Sequence, residues 1–344
     1  MSVIKFKTMD LGTYETVVVI ASITQTNTAN GKPMVKVTIS DGDETITAIQ
    51  FDTLKSDLAY IGIEDGSTAL ITLEITEYKG SKSYKIVNIN PVKLPEEELK
   101  QLIKLPPEDP SKYVSEIIRL IKQSSGRDYD LESGDVPADD YSLTALSIRL
   151  INENLKAFTK SSAAKTMHHN LYGGLAYHTF RMIKAAYSVC EVYTLLNREL
   201  LVCGTALHDI GKLMEMKTSD TGIATYTDMG NLFGHPLLGI EMIDREVWRM
   251  NNAIGGRSYN AEQVAMLKHM LASHHGQPEW GAIRSPSTPE AMVLHELDMI
   301  DSRMYMFEEN FKDMSAGSSS DPIFGIAGEG KAVIYKNTFS NYGN

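Results

Sequence analysis

The sequence predicts an α+β chain of more than one domain, in which a β-rich N-terminal part precedes a bundle of helices. Short segments rich in β-branched residues fill about the first ninety residues, and turn signals separate them. Helical patterning then extends from Tyr113 to about Met314. A break that mixes prolines with acidic residues separates the two parts. With 344 residues, the chain is long enough for about two domains.

Five segments of the N-terminal part are predicted strands, and Asn-Gly, Asp-Gly and Lys-Gly pairs mark the turns between them. Five strands at this spacing are typical of a small closed barrel, of which the OB-fold is the five-stranded form. Periodicity alone leaves another small barrel or a sandwich as the alternative. The predicted strands are Glu15–Thr24, Met34–Ile39, Thr45–Phe51, Thr68–Tyr78 and Ser83–Ile89.

We predict four regions along the chain. Residues 1–93 form the barrel, and residues 94–142 form a linker with the leading helices. Residues 143–314 form the helical domain, and residues 315–344 form a tail with a short strand. The proline-rich break and a serine-rich stretch after Met314 set these boundaries.

The formal charge of the chain is −11, from 33 basic and 44 acidic residues. This excess argues against a strongly basic protein that coats nucleic acid, because such proteins gain most of their affinity by neutralising phosphates. It is compatible with an enzyme whose bound divalent cations supply positive charge. Two cysteines are too few for a disulfide framework. We expect neither a signal peptide nor a membrane span, because the first ten residues lack the apolar run of a signal peptide and no long apolar run follows. We therefore expect a soluble, cytoplasmic protein without a membrane partner.

All nine histidines lie between His168 and His295, within the helical part. A lone histidine is more often an ordinary core or surface residue, so only the combined pattern predicts a metal site. Imidazole nitrogens and carboxylates suit manganese, iron, cobalt, nickel and zinc. A carboxylate can also bridge two metal ions, as in two-metal hydrolytic sites. The candidate ligands are His178, His208, Asp209, His235, His274, His275 and Asp298.

In their order, these residues resemble the H…HD…H…HH…D pattern of the HD-domain metal-dependent phosphohydrolases, in the version with two metals. With the OB-like part, the segments HHNLYGGLAYHT, HDIGK and SHHG are similar to the YhaM-type 3′→5′ exoribonucleases over nearly the whole chain. The resemblance implies an all-α HD-domain bundle after an OB-like domain that binds nucleic acid. It also implies 3′→5′ hydrolysis of single-stranded RNA, and sometimes DNA, with two divalent ions. Manganese is favoured, and iron, cobalt, nickel and zinc are the other candidates.

The resemblance also implies roles for residues beside the ligands. Asp209 and Lys212 are the catalytic candidates, the lysine because a cation at this position can contact a substrate phosphate. Asp301 is similar to an acid that supports a metal ligand in this family. We prefer Asp298 to Asp301 as the ligand itself. Candidates for contact with the substrate or with the ligands are His168, His169 and Arg303.

A hairpin near residue 80 interleaves two tyrosines with three lysines. Proteins that bind single strands stack bases on aromatic rings and follow the phosphates with cations, so this hairpin is a predicted strand-binding surface. The alternative is a solvated hairpin whose lysines protect an edge strand. The candidates are Tyr78, Lys79, Lys82, Tyr84 and Lys85.

Two other functions stay open at this point. The chain could hydrolyse small nucleotides or cyclic dinucleotides, with the barrel binding a partner or building a homo-oligomer. It could also be a module that binds single-stranded nucleic acid and carries a regulatory HD domain. The complete set of candidate ligands argues against the second alternative, because loss of activity usually leaves gaps in such a set.

Overall fold

The computed structural model describes residues 3–164, 171–252, 257–328, 330–340 and 342. Within them, the N-terminal part is a closed five-stranded barrel with the order β1-β2-β3-β5-β4. All neighbouring strands are antiparallel except β3 and β5, whose parallel pairing closes the barrel. The predicted OB-like barrel is confirmed. Its strands are β1 (Gly12–Asn27), β2 (Pro33–Ser40), β3 (Thr45–Phe51), β4 (Thr68–Tyr78) and β5 (Ser81–Pro91).

Alternating apolar side chains fill the barrel interior, because successive residues of a strand point to opposite faces. Val35, Val37 and Ile39 supply this row from β2, and Ile71, Leu73 and Ile75 supply it from β4. Helix α1 (Lys55–Tyr60) connects β3 to β4, and its Leu58 joins the same core. The barrel therefore has its own hydrophobic core, separate from that of the helices.

The helical part follows a short helix, α2 (Glu96–Leu99), and is built around α7 (Arg198–Leu207). Every residue of α7 from Leu200 onward is buried, because helices α3, α4, α6, α10 and α11 all contact it. None of the described helices is both long and apolar enough to cross a membrane. The other helices are α3 (Pro110–Ser124), α4 (Leu143–Glu153), α5 (Leu155–Lys160), α6 (Gly174–Val192), α8 (Lys212–Glu215), α9 (Asp228–Asn251), α10 (Ala261–Ser273) and α11 (Pro289–Asp313).

A β-hairpin interrupts the helical part, although the sequence analysis placed helices there. Its strands are β6 (Met216–Thr218) and β7 (Ala224–Tyr226). Thr221 in its turn donates a hydrogen bond from Oγ1 to the carbonyl oxygen of Gly66 in the barrel, at 2.9 Å. Ile223 packs in a small cluster with apolar residues of β1 and β4. This hairpin therefore contacts the barrel directly.

The C-terminal tail holds four two-residue strands instead of the single short strand expected. β8 (Ser318–Ser319) pairs with β11 (Tyr335–Lys336), and β9 (Ile323–Phe324) pairs with β10 (Lys331–Ala332). Apolar residues of this tail pack on Phe311 of α11. The division of the chain into four regions stays a prediction.

Candidate metal centre

The carboxylate of Asp209 lies between two groups of histidines. Its Oδ2 is 3.3 Å from Nε2 of His208 and 3.9 Å from Nε2 of His178. Its Oδ1 is 3.3 Å from Nε2 of His235 and 3.8 Å from Nε2 of His274. The two oxygens therefore face different groups, which is the arrangement of a carboxylate that bridges two cations.

Two clusters of donor atoms flank this carboxylate. His178, His208 and Asp298 form the first, and within each cluster the donor atoms lie within 4.8 Å of one another. Their side chains come from α6, from the end of α7 and from α11. The second cluster comprises His235, His274 and His275. The structure thus brings together all seven predicted ligands.

Local backbone geometry places the second cluster. His235 follows a break inside α9, where Gly234 adopts a φ of 70°, a left-handed conformation that favours glycine. His274 is the residue at which α10 ends. Both histidines therefore lie at interruptions of helices, and their rings meet on the same side of Asp209, with 3.2 Å between their Nε2 atoms.

Hydrogen bonds at Nδ1 fix the orientation of the imidazoles. His208 and His274 each contact, at 2.8 Å, the carbonyl oxygen three residues earlier, that of Thr205 and that of Leu271. Because a carbonyl oxygen only accepts, Nδ1 carries the proton and the lone pair of Nε2 faces the centre. These tautomers are the ones that a metal ligand requires.

Two carboxylates orient the rings of His178 and His235. Asp301 Oδ2 is 2.7 Å from Nδ1 of His178, and Glu215 Oε2 is 3.0 Å from Nδ1 of His235. Glu215 also accepts a hydrogen bond from the backbone N–H of His235, at 3.0 Å. Asp301 is in turn held by Nε of Arg181, at 2.6 Å. Glu215 and Arg181 were missed in the sequence analysis, because no local pattern connects them with their distant partners.

The donor atoms fit divalent cations. Among the described residues, Nε2 of His208 and Nδ1 of His275 are buried without a hydrogen-bond partner. Leaving such a group unsatisfied costs about 1–3 kcal/mol. Two cations, one in each donor cluster, would satisfy these two nitrogens, and the mixture of imidazole and carboxylate donors suits transition metals.

Electrostatics keep Asp209, His274 and His275 in the charge states that a metal needs, whereas His178 carries a proton at pH 7. Burial alone would raise the pKa of Asp209, but Lys212 and His208 hold it well below the usual range. Burial lowers the pKa of His275 to about 4 and that of His274 well below its ordinary value, so both rings are neutral at pH 7. Burial opposes the proton on His178, yet Asp298 and Asp301 raise its pKa to about 10. Binding of a cation through this ring must therefore release a proton.

Lys212 begins α8, and its Nζ lies 2.7 Å from Oδ2 of Asp209. Its ammonium group is therefore next to the carboxylate that faces both clusters. Its contact with a substrate phosphate stays a prediction. His168 and His169 lie outside the described residues. Arg303 belongs to neither donor cluster, and its Nε is buried without a hydrogen-bond partner among the described residues.

The five predicted strand-binding residues do not share one face of the barrel. Tyr84 pairs with the buried Ile75 and packs against the barrel core. Lys85, one residue later, points to the opposite face and forms an ion pair with Glu74, at 3.0 Å. The structure therefore does not place the five residues on a single stacking surface, and their role in binding a strand stays a prediction.

The other members of this hairpin are also divided. Lys82 donates a hydrogen bond from Nζ to the carbonyl oxygen of Met9, at 2.6 Å, so its charge is used within the barrel. Tyr78 is exposed, and Nζ of Lys79 lies over its ring, 5.4 Å from the centroid. Of the five residues, Tyr78 and Lys79 at the tip of the hairpin are thus the pair that could still contact a nucleic-acid strand.

A different surface combines apolar and basic side chains, namely the outer face of β2 and β3. Phe51 is 44% exposed and pairs across the strands with Met34. Lys36 is exposed and pairs with Ile49, which is half-buried. The β2–β3 face is the one through which OB-folds bind oligonucleotides. We call these four residues the outer barrel face.

The HD domain family model matches residues 175–303, a range that contains all seven candidate ligands. The protein named 3′-5′ exoribonuclease YhaM from Listeria monocytogenes serotype 4b is 29% identical over 315 residues, 91% of this chain and 93% of the relative. The protein of the same name from Bacillus velezensis is 27% identical over 324 residues, 93% of each chain. The chain therefore contains an HD domain, and the predicted resemblance to these exoribonucleases is confirmed.

Two solved structures match smaller parts of the chain. The match to a replication protein A heterotrimer bound to ssDNA covers 27% of this chain and 67% of the matched chain. The two are 18% identical in sequence, and the TM-score is 0.21. The mitochondrial single-stranded DNA binding protein Rim1 from S. cerevisiae covers 25% of this chain and 99% of its own at 20% identity, with a TM-score of 0.21. The barrel is assigned from its strand pairings and not from these matches.

Replacing Glu215 tests whether its carboxylate supports His235. We expect Glu215→Gln to lower the affinity of the His235 cluster for Mn²⁺ about 10- to 100-fold, because the amide is a weaker partner for the Nδ1 proton. Isothermal titration of the metal-free protein with Mn²⁺ measures this. Glu241→Gln is the matched control, since Glu241 lies on α9 in an exposed pair with Arg245. Unchanged affinity in Glu215→Gln would contradict the assignment.

Proposed function

We propose that this HD-domain chain is a metal-dependent 3′→5′ exonuclease that degrades single-stranded RNA and, as a second substrate, single-stranded DNA. The observation that carries the proposal is the carboxylate of Asp209, whose two oxygens each face a separate donor cluster. This arrangement supports two divalent ions per chain, and we propose Mn²⁺ for both. The similarity to curated exoribonucleases over nine-tenths of the chain supports the substrate class.

The residues of the centre would perform three tasks. The divalent ions, when bound, would lower the pKa of a water molecule and neutralise charge that develops on the phosphate. Asp209 and Asp298 hold the cations as carboxylates, since both pKa values lie well below their usual range despite burial. The backbone carbonyls behind His208 and His274 keep their Nε2 atoms directed at the centre. Lys212 would donate a hydrogen bond to a non-bridging oxygen of the scissile phosphate.

We further propose that the strand approaches along the outer barrel face instead of the hairpin named in the sequence analysis. Phe51 and Met34 offer apolar surface on which bases can stack, and Lys36 offers a charge for a phosphate. One lysine in this surface implies a weak dependence on salt, because few counterions are released. The two cysteines are buried and unbonded, which accords with the reducing cytoplasm in which we place this activity.

A degradation assay tests the proposed activity. We expect the protein with Mn²⁺ to shorten 5′-labelled single-stranded RNA progressively from the 3′ end and to release label from 3′-labelled RNA at once as mononucleotide. Asp209→Asn should lower the rate at least about 1000-fold, because the carboxylate shared by the two metals loses its charge. Circular dichroism should show an intact fold.

The matched control is Asp244→Asn, which makes the same change at an exposed acid of α9 that pairs with Lys268. It should keep the rate of the unaltered protein. Internal cleavage, or hydrolysis of small or cyclic nucleotides without attack on RNA, would overturn the exonuclease proposal in favour of a different phosphodiesterase.

Variants of the outer barrel face test the path of the strand. We expect the double variant with Phe51→Ala and Lys36→Gln to raise KM for a 20-nucleotide RNA roughly 10-fold or more, because one stacking contact and one phosphate contact are lost. Hydrolysis of a small activated phosphodiester should not change. Tyr60→Ala is the control, because it removes an exposed aromatic side chain at the end of α1, outside the outer barrel face. A KM equal to that of the unaltered protein would exclude this face.

A further inference from the structure

A tight turn follows the two histidines at the end of α10. The backbone N–H of Trp280 donates to the carbonyl oxygen of Gln277 at 3.0 Å, and the N–H of Ala282 donates to the same oxygen at 3.1 Å. The N–H of Ile283 then donates to the carbonyl oxygen of Ala272 in α10, at 2.8 Å. These bonds fix the position of Trp280 relative to the helix that carries His274.

This turn packs against the second donor cluster. Gly281 has a φ of 100°, and a Cβ at this position would lie 3.1 Å from Nδ1 of His275. The indole of Trp280 stacks near the ring of His295, with 6.1 Å between centroids and 27° between planes. Nδ1 of His295 contacts the carbonyl oxygen of His274, at 2.8 Å. Trp280 is thereby connected to both histidines of the pair.

Despite this setting, Trp280 remains 42% exposed. A solvent-facing aromatic residue is unremarkable by itself, and Trp248 on α9 is 69% exposed. The position of Trp280 distinguishes it, because it lies on a fixed turn whose next residue, Gly281, packs against the candidate ligand His275. Trp248 lies thirteen residues beyond His235 on α9, or about 20 Å along the helix.

We propose that Trp280 stacks on the base of the 3′-terminal nucleotide while the last phosphodiester lies at the metal centre. This inference rests on the proposed exonuclease function. An enzyme that removes nucleotides one at a time must hold a terminal nucleotide of any sequence. Stacking serves this purpose, since every base offers a π-face, whereas hydrogen-bond readout would restrict the base. The restrained turn reduces the entropy that ordering the indole would otherwise cost.

The first test compares strands that differ only at the 3′ end. One RNA ends in adenosine, and the other ends in an abasic nucleotide. We expect Trp280→Ala to lower kcat/KM on the adenosine-ended RNA roughly 10-fold or more and to have little effect on the abasic-ended RNA. Trp280→Phe should retain much of the kcat/KM that Trp280→Ala loses on the adenosine-ended RNA. Trp248→Ala is the matched control, and it should degrade both RNAs at the rate of the unaltered protein.

The second test measures contact directly. The chain has two tryptophans, so Trp280 is the sole indole in Trp248→Phe. We expect adenosine-ended RNA to quench its fluorescence and abasic-ended RNA to quench it much less. If Trp280→Ala degrades adenosine-ended RNA as fast as the unaltered protein, the stacking proposal fails and the exonuclease proposal stands. If the unaltered protein degrades no strand, the exonuclease proposal fails. If adenosine-ended RNA does not quench the fluorescence of Trp280, the stacking proposal fails whatever the degradation assay shows.

Discussion

The arrangement of the helical domain depends on one shared carboxylate. Asp209 faces His208 with one oxygen and His235 with the other, so the segment that follows α7 must approach α9 closely at this point. Gly211 permits the approach, because a Cβ there would lie 2.0 Å from the carbonyl oxygen of His235. Close packing therefore explains why the HDIGK segment has a glycine at this position. Any larger residue would separate the two donor clusters that Asp209 connects.

A second layer of interactions supports this constraint. Glu215 holds the ring and the backbone of His235, and Asp301 holds the ring of His178. Glu215 is also the last residue of α8, directly before the β6–β7 hairpin that contacts the barrel through Thr221. A continuous series of contacts therefore leads from the barrel to the second donor cluster. This hairpin therefore connects the barrel to the centre that we propose for the chemistry.

The sequence contained enough information for the barrel and for the ligands. Strand periodicity is local, and both Thr45–Phe51 and Thr68–Tyr78 have the predicted bounds. Histidines and aspartates in a recognisable order, together with the resemblance to HD-domain phosphohydrolases, were sufficient to predict seven candidate ligands that the structure brings close together. The support from Glu215 was not predictable, because its partner is twenty residues away and only the tertiary fold joins them. The division of the hairpin residues between two faces was not predictable either, because Tyr84 and Lys85 alternate across the pleat, which residue type alone does not reveal.

Electron paramagnetic resonance of the Mn²⁺-loaded protein tests the central claim most directly, namely that one carboxylate connects two cation sites. The structure places the donor atoms of both clusters around a single side chain, so two Mn²⁺ ions per chain should be close enough to couple. We expect a stoichiometry of two and an exchange-coupled spectrum, and we expect Asp209→Asn to abolish the coupling. One tightly bound ion per chain, or two ions with the spectrum of isolated Mn²⁺, would contradict this account.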